Sequence, residues 1–165
     1  MKEAVVQLRE VLAHLVRQFE RLLQQLEQER QFIRARQVEG MNQSSVTITE
    51  TLEQIRQIDR QRQELTAQMA RQLKMKAGTI TLETLDHELG RHTGLAEDRQ
   101  RLLAVIAEAD RSNRENQAIF KGVMIATEVV IRAMGGQGQP DLSYNRLGSK
   151  KSGAAHFNNL FSKQL

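Results

Sequence analysis

Four histidines, His14, His87, His92 and His156, are the side chains best suited to ligate a metal or move a proton, and no cysteine is present to add a thiolate. His87 and His92 are five apart, which places them on different faces of a helix, and no H-x-x-x-H pair occurs. Serines stand in "NQSS" and near the C-terminus without a base that the sequence places beside them, and there is no G-x-x-x-x-G-K-[ST] phosphate loop. Catalysis needs a constellation held on rigid elements. None is legible here, so no enzyme, no metal site and no cofactor are expected.

Two other groups could do chemistry of a different kind. Asn113 and Asn116 sit three apart in an otherwise apolar helical seam and share a face. A buried Asn fixes helix register at some cost in stability, and this structural role is preferred over a hydrogen bond to a partner's backbone. The second group is Phe157, Leu160, Phe161 and Leu165, at i, i+3, i+4 and i+8, which form one apolar face of a short helix in a segment otherwise rich in Gly, Ser and Lys. So short a helix is marginal alone in water. It therefore either folds back on its own bundle or enters a partner's groove. Four anchors at about 1.5–3 kcal/mol each give roughly 6–12 kcal/mol, of which ordering a flexible segment takes back roughly 2–5 kcal/mol. The remainder fits a micromolar or weaker, reversible contact.

The elements that must carry these residues are helices. Val5, Leu12, Phe19, Leu26 and Ile33 recur every seven residues, and Leu8, Leu15 and Leu22 fill the second seam position, with only Glu29 breaking the run. The spacing predicts a first helix of about 35 residues. Gly40 is placed as its C-cap, and Thr47 with Glu50 fits a capping box that would start the second helix. That helix carries Ile48, Leu52, Ile55, Ile58, Leu65, Met69 and Leu73 to about Lys76, with Arg62 where a seam residue is expected. Thr81 to Leu89 predicts a short helix. A last long one runs from about Leu95 to Met134, its seam passing through Leu102, Leu103, Ile106, Ala109, Asn113, Asn116, Phe120, Val123, Thr127, Val130 and Met134. The fold expected is all-α: an elongated antiparallel bundle of three long helices and one short one over residues 1–135, with residues 136–165 as a flexible tail opened by the linker "GGQGQP".

Composition agrees. With 39% hydrophobic residues, 4% aromatics and no Trp, the chain can bury a long narrow seam rather than a deep core. The net charge of +4 is spread along the helices, and the only adjacent lysines, Lys150 and Lys151, have no aromatic platform beside them, so nucleic acid is not an expected partner. No apolar run reaches membrane-spanning length, and the N-terminus lacks the apolar core of a signal peptide. A cytoplasmic protein without membrane insertion is expected.

Three stretches resemble the FlgN-like flagellar export chaperones. "LLQQLEQERQFI" with "TLEQIRQIDRQRQEL" is similar to the family's leading helices, and "EADRSNRENQAIFKG" to its Asn-x-x-Asn helix, with Asn113 and Asn116 as the pair. "SYNRLG" resembles its Tyr-x-x-x-Gly element, matched by Tyr144 and Gly148, with Asn145-Arg146-Leu147 where Gly-Pro-Asp often stands. The resemblance implies a small helical protein that holds unassembled hook-associated (hook-filament junction) proteins and docks on the flagellar export gate. On that footing Phe157, Leu160, Phe161 and Leu165 are expected to bind client together with Phe120, Val123 and Val130, and Tyr144 to assist gate docking. The rival expectation is a structural coiled-coil protein that forms a homo-oligomer, or pairs with another helical chain, through the seam of its first helix.

Overall fold

A computed structural model of the chain describes residues 1–75, 80–90 and 92–134. Four helices follow in order: α1 (Lys2–Ala35), α2 (Val38–Gln72), α3 (Leu82–Glu88) and α4 (Leu95–Ala133). Among the described residues there is no strand. The all-α bundle of three long helices and one short one is as the sequence predicts.

α1 is the spine, packed along its length by α2 on one side and α4 on the other. Two neighbours require more than a two-position seam. Leu8, Leu12, Leu15, Phe19, Leu22 and Leu26 are fully buried, Val16 nearly so, and Val11 and Leu23 widen the stripe at its flanks. The heptad of α1 is therefore consumed inside the chain, which leaves no seam on α1 for pairing with a second copy.

The turn between α1 and α2 differs from the sequence expectation. α1 stops at Arg36, which takes a left-handed conformation (φ 56°) and donates its backbone N–H to Ile33, while Gln37 donates to Phe32. Gly40 is not a cap at all; it lies inside the first turns of α2. A Cβ there would come within 2.5 Å of the Phe32 ring, so the glycine lets that ring lie flat against the backbone of α2. Thr47 is likewise mid-helix, and its hydroxyl donates to the carbonyl of Ser44 instead of capping. The short α3 does carry a capping box: Thr81 and Thr84 exchange backbone N–H and hydroxyl bonds at 3.1 and 2.9 Å. Leu82 and Leu85 are thereby fixed in the core.

α2 contributes polar groups to the core. Arg62, at the expected seam position, is 1% exposed and donates from Nε to Asp59 Oδ1 at 2.7 Å; Gln63 binds the other carboxylate oxygen at 2.6 Å. A charge so deeply placed persists only because it is paired and hydrogen-bonded.

α4 runs beside α1 in the same direction. Arg9 pairs with Asp98 at 2.6 Å near the start of both helices, Arg101 with Glu20 at 3.6 Å further along, and Arg30 with Ser112 and Glu115 near the far end of α1. The Arg9 guanidinium is held above its ordinary pKa by that hydrogen bond and by the charge of Asp98. At the far end, Asn116 is completely buried and saturates its amide: Nδ2 donates to the Leu26 carbonyl at 2.7 Å and to Glu29 Oε2 at 2.8 Å, while Oδ1 accepts from Arg30 Nε at 2.9 Å. Asn113 is buried in the same cluster face of α4. Glu29, which breaks the heptad in the sequence, is the group that answers Asn116 across the interface.

Two stability predictions follow from these contacts. Gly40→Ala should destabilise the protein by about 1–3 kcal/mol through overpacking against Phe32, although helix propensity alone favours Ala by about 1 kcal/mol. A urea midpoint that rises instead would show that the ring contact does not dictate the glycine. Asn116→Leu should cost about 2–3 kcal/mol, because Glu29, Arg30 and the Leu26 carbonyl each lose a partner in a site closed to water. An unchanged midpoint would remove Asn116 as the register-setting group.

Candidate functional site

Asn116 is the last fully buried residue of α4. Because α4 runs parallel to α1 and Arg30 lies beside Ser112 and Asn116, α1 reaches its end near the level of Phe120. α4 continues to Ala133. Its final turns, about 20 Å at 1.5 Å per residue, extend beyond the spine.

Stepping 100° per residue, Leu102, Ile106, Ala109, Asn113 and Asn116 lie on the face that α4 turns to α1. The same face continues as Phe120, Val123, Met124, Thr127, Val130, Ile131 and Met134. Phe120 and Val123 are half-buried; Val130 is 54% exposed and Met134 83%. Met124, Ile125, Val129 and Ile131 are exposed too. Charge is confined to the stripe of Lys121, Glu128 and Arg132, where Arg132 donates to Glu128 in the i, i+4 relation. Thr127 hides its hydroxyl on the Val123 carbonyl at 2.9 Å, so even this position presents a methyl group. The core face of α4 thus runs on, bare, past the point where its partner helix stops.

Such a surface can do no covalent chemistry. It offers a contiguous apolar strip, and strips of this kind mark protein-binding sites. The helix that bears it is rich in β-branched residues (Val123, Ile125, Thr127, Val129, Val130, Ile131) and contains Gly122, all weak helix formers. Its helical state is propagated from the packed part of α4 rather than nucleated locally.

The sequence-predicted residues divide into three sets. Phe120, Val123 and Val130 lie together on this overhang. Asn113 and Asn116 lie immediately before it, in the polar cluster where the buried part of α4 ends. Tyr144, Phe157, Leu160, Phe161 and Leu165 lie outside the described residues. Leu103, placed on the seam by sequence, is 37% exposed and faces away. Met124, Ile125, Val129 and Ile131 were not singled out by the seam pattern. Their signal was there in the near-continuous apolar composition of residues 119–134, which no single stripe accounts for.

Elsewhere the described residues hold no comparable feature. His14 lies on the surface, 3.3 Å from Gln18, and His87 lies 3.9 Å from Glu88, also at the surface. No group of three His, Asp or Glu side chains gathers at metal-binding distance among the described residues. A shallow concavity between α1 and α2 is bordered by Glu10, Val11, His14, Arg17, Glu64 and Leu65, with no grouping of catalytic type. No helix among the described residues is long and apolar enough to cross a membrane.

The model of one protein family, described as FlgN protein, matches residues 1–152. The match takes in all four helices, the bare end of α4 and the Tyr144–Gly148 element, and it stops before Phe157. Neither the curated proteins nor the solved structures compared with the chain contain a match. A family match over this much of the chain, together with the all-helical bundle, establishes that the chain belongs to the FlgN family of flagellar export chaperones.

Proposed function

We propose that the protein is a cytoplasmic chaperone that holds unassembled hook-associated proteins, prevents their premature assembly and delivers them to the flagellar type III export gate. One observation carries the reading: among the described residues, the core face of α4 continues beyond Asn116 with no helix to cover it. An amphipathic helix of an unassembled client can lie there as α1 lies further down, helix against helix, with anchors at i, i+3, i+4 and i+7. Phe120, Val123 and Val130 receive the client on α4, and Phe157, Leu160, Phe161 and Leu165 add a second apolar face. Tyr144 serves gate docking. The absence of any buried charge partner on the strip suits a client that must be let go.

The alternative of a structural coiled coil joined through α1 finds less support, because the α1 seam is occupied by α2 and α4.

Calorimetric titration of a purified hook-associated protein tests the reading. Val123→Asp with Val130→Asp should weaken binding tenfold or more, about 1.4 kcal/mol per tenfold, with helical content unchanged, since neither position is in the buried core. Phe157→Ala with Phe161→Ala should weaken it in the same direction. Full affinity in both variants would remove the overhang and the C-terminal segment as client seats. A companion pull-down from a flagellated bacterial lysate, with the chain stopped at Gly136, should recover less hook-associated protein than the full chain. Equal recovery would move the whole client site to the bundle.

A further inference from the structure

We infer that the bare end of α4 selects a client helix with an acidic first turn, and that Arg34 of α1 and Lys121 of α4 are the cations that read it. The inference rests on the reading of that face as the client seat, and it names the chemistry of the helix the seat takes.

The charges along α1 and α4 lead to it. Where α1 covers α4, they are answered across the interface: Arg9 by Asp98 at 2.6 Å, Glu20 by Arg101 at 3.6 Å and Arg30 by Glu115 at 3.0 Å. Arg34 follows Arg30 by about one helical turn, on the side of α1 turned to α4. Opposite it the series stops, because α4 carries no Asp or Glu between Glu115 and Glu128. Glu128 is itself taken by Arg132. Glu39, the acid next along the chain, belongs to the first turn of α2, which packs on the other side of α1. Arg34 is exposed, and no ion pair holds it among the described residues. Lys121 adjoins Phe120 on the opposite edge of the bare face, and it too is exposed without an ion pair among the described residues.

The two cations therefore stand at one level, where cover by α1 ends and the apolar face begins. A helix that lies on that face as a continuation of α1, parallel to α4 as α1 is, brings its first turn between them. Asp or Glu in a first turn is favoured by the helix's own dipole, and here the same acids also complete the series that α4 leaves unanswered. A basic first turn would set like charges together at the edge of an apolar contact, which works against that partner. Charge complementarity of this kind fixes register and partner choice more than raw affinity. The apolar anchors hold the helix, and the cations decide which helix it is and which way round it lies.

The test uses the full-length protein and labelled amphipathic peptides of about 14 residues, about 21 Å as helices and so matched to the overhang. Their termini are blocked, and they differ only in carrying two Glu or two Lys in the first turn. Fluorescence anisotropy should show the Glu peptide binding roughly fivefold more tightly than the Lys peptide. Arg34→Glu with Lys121→Glu should reverse that order. Arg17→Glu with Arg21→Glu makes the same change in net charge at exposed positions of α1 away from the seat, and should leave the order as it was. Val123→Asp with Val130→Asp should weaken both peptides. Equal binding of the two peptides, or no binding of either, overturns the inference. So does an order that the Arg34 and Lys121 reversal does not move, or that the Arg17 and Arg21 control moves equally. The client titration fails separately: full client affinity in Val123→Asp with Val130→Asp sinks the seat itself, whereas reduced affinity there with no peptide preference sinks only the charge selection.

Discussion

The hydrogen bonds of Asn116 to Leu26, Glu29 and Arg30 decide how much of α4 is left uncovered. Parallel helices with apolar seams can slide by a heptad and find their knobs and holes again. If α4 moved about 10 Å toward its N-terminus, Phe120 and Val123 would come under the end of α1 and their burial would gain free energy. That slide would carry Asn116 away from Glu29 and Arg30, and would also part Arg9 from Asp98. Withdrawing the Asn116 amide from a buried carboxylate, a guanidinium and the Leu26 carbonyl costs more than an apolar side chain or two returns. The register with a bare helix end is thus the stable one, and the polar groups that hold it contribute nothing to the strip's own chemistry.

α1 makes the same point from the other side. A helix with leucines at both seam positions and valines at their flanks can serve two neighbours at once, and once it does, its apolar surface is spent. α2 meets it with a mixed face, in which Asp59 and Arg62 pair within one turn. The face that α4 turns to α1 is buried up to the level of Asn116, and beyond that level it becomes progressively exposed, from half-buried Phe120 and Val123 to Val130 and Met134.

This division explains what could be read from the sequence. The long helices were legible because their seams repeat for many turns, and Arg62 could be recognised as a seam residue by position alone. Glu29 and Asn116 each looked like a fault in its own helix, and only the fold shows that they are one contact, since they lie far apart in the chain. A glycine after a heptad run usually ends a helix, whereas here Gly40 makes room for Phe32 and the left-handed position falls on Arg36, a residue with no such signature. The apolar density of residues 119–134 was visible, but its exposure was not. Exposure depends on where α1 ends relative to α4, a distance set by the register and by the turn at Arg36.

A chaperone that carries a bare apolar helix faces an aggregation hazard that most proteins avoid. The composition of the overhang limits it in two ways. Its β-branched residues and Gly122 give the helix little propensity of its own, so it stands as a continuation of the packed part of α4. Lys121, Glu128 and Arg132 also line one side, which keeps that stripe charged and poor for apolar contact. A surface with these properties suits a helical partner over indiscriminate hydrophobic contact.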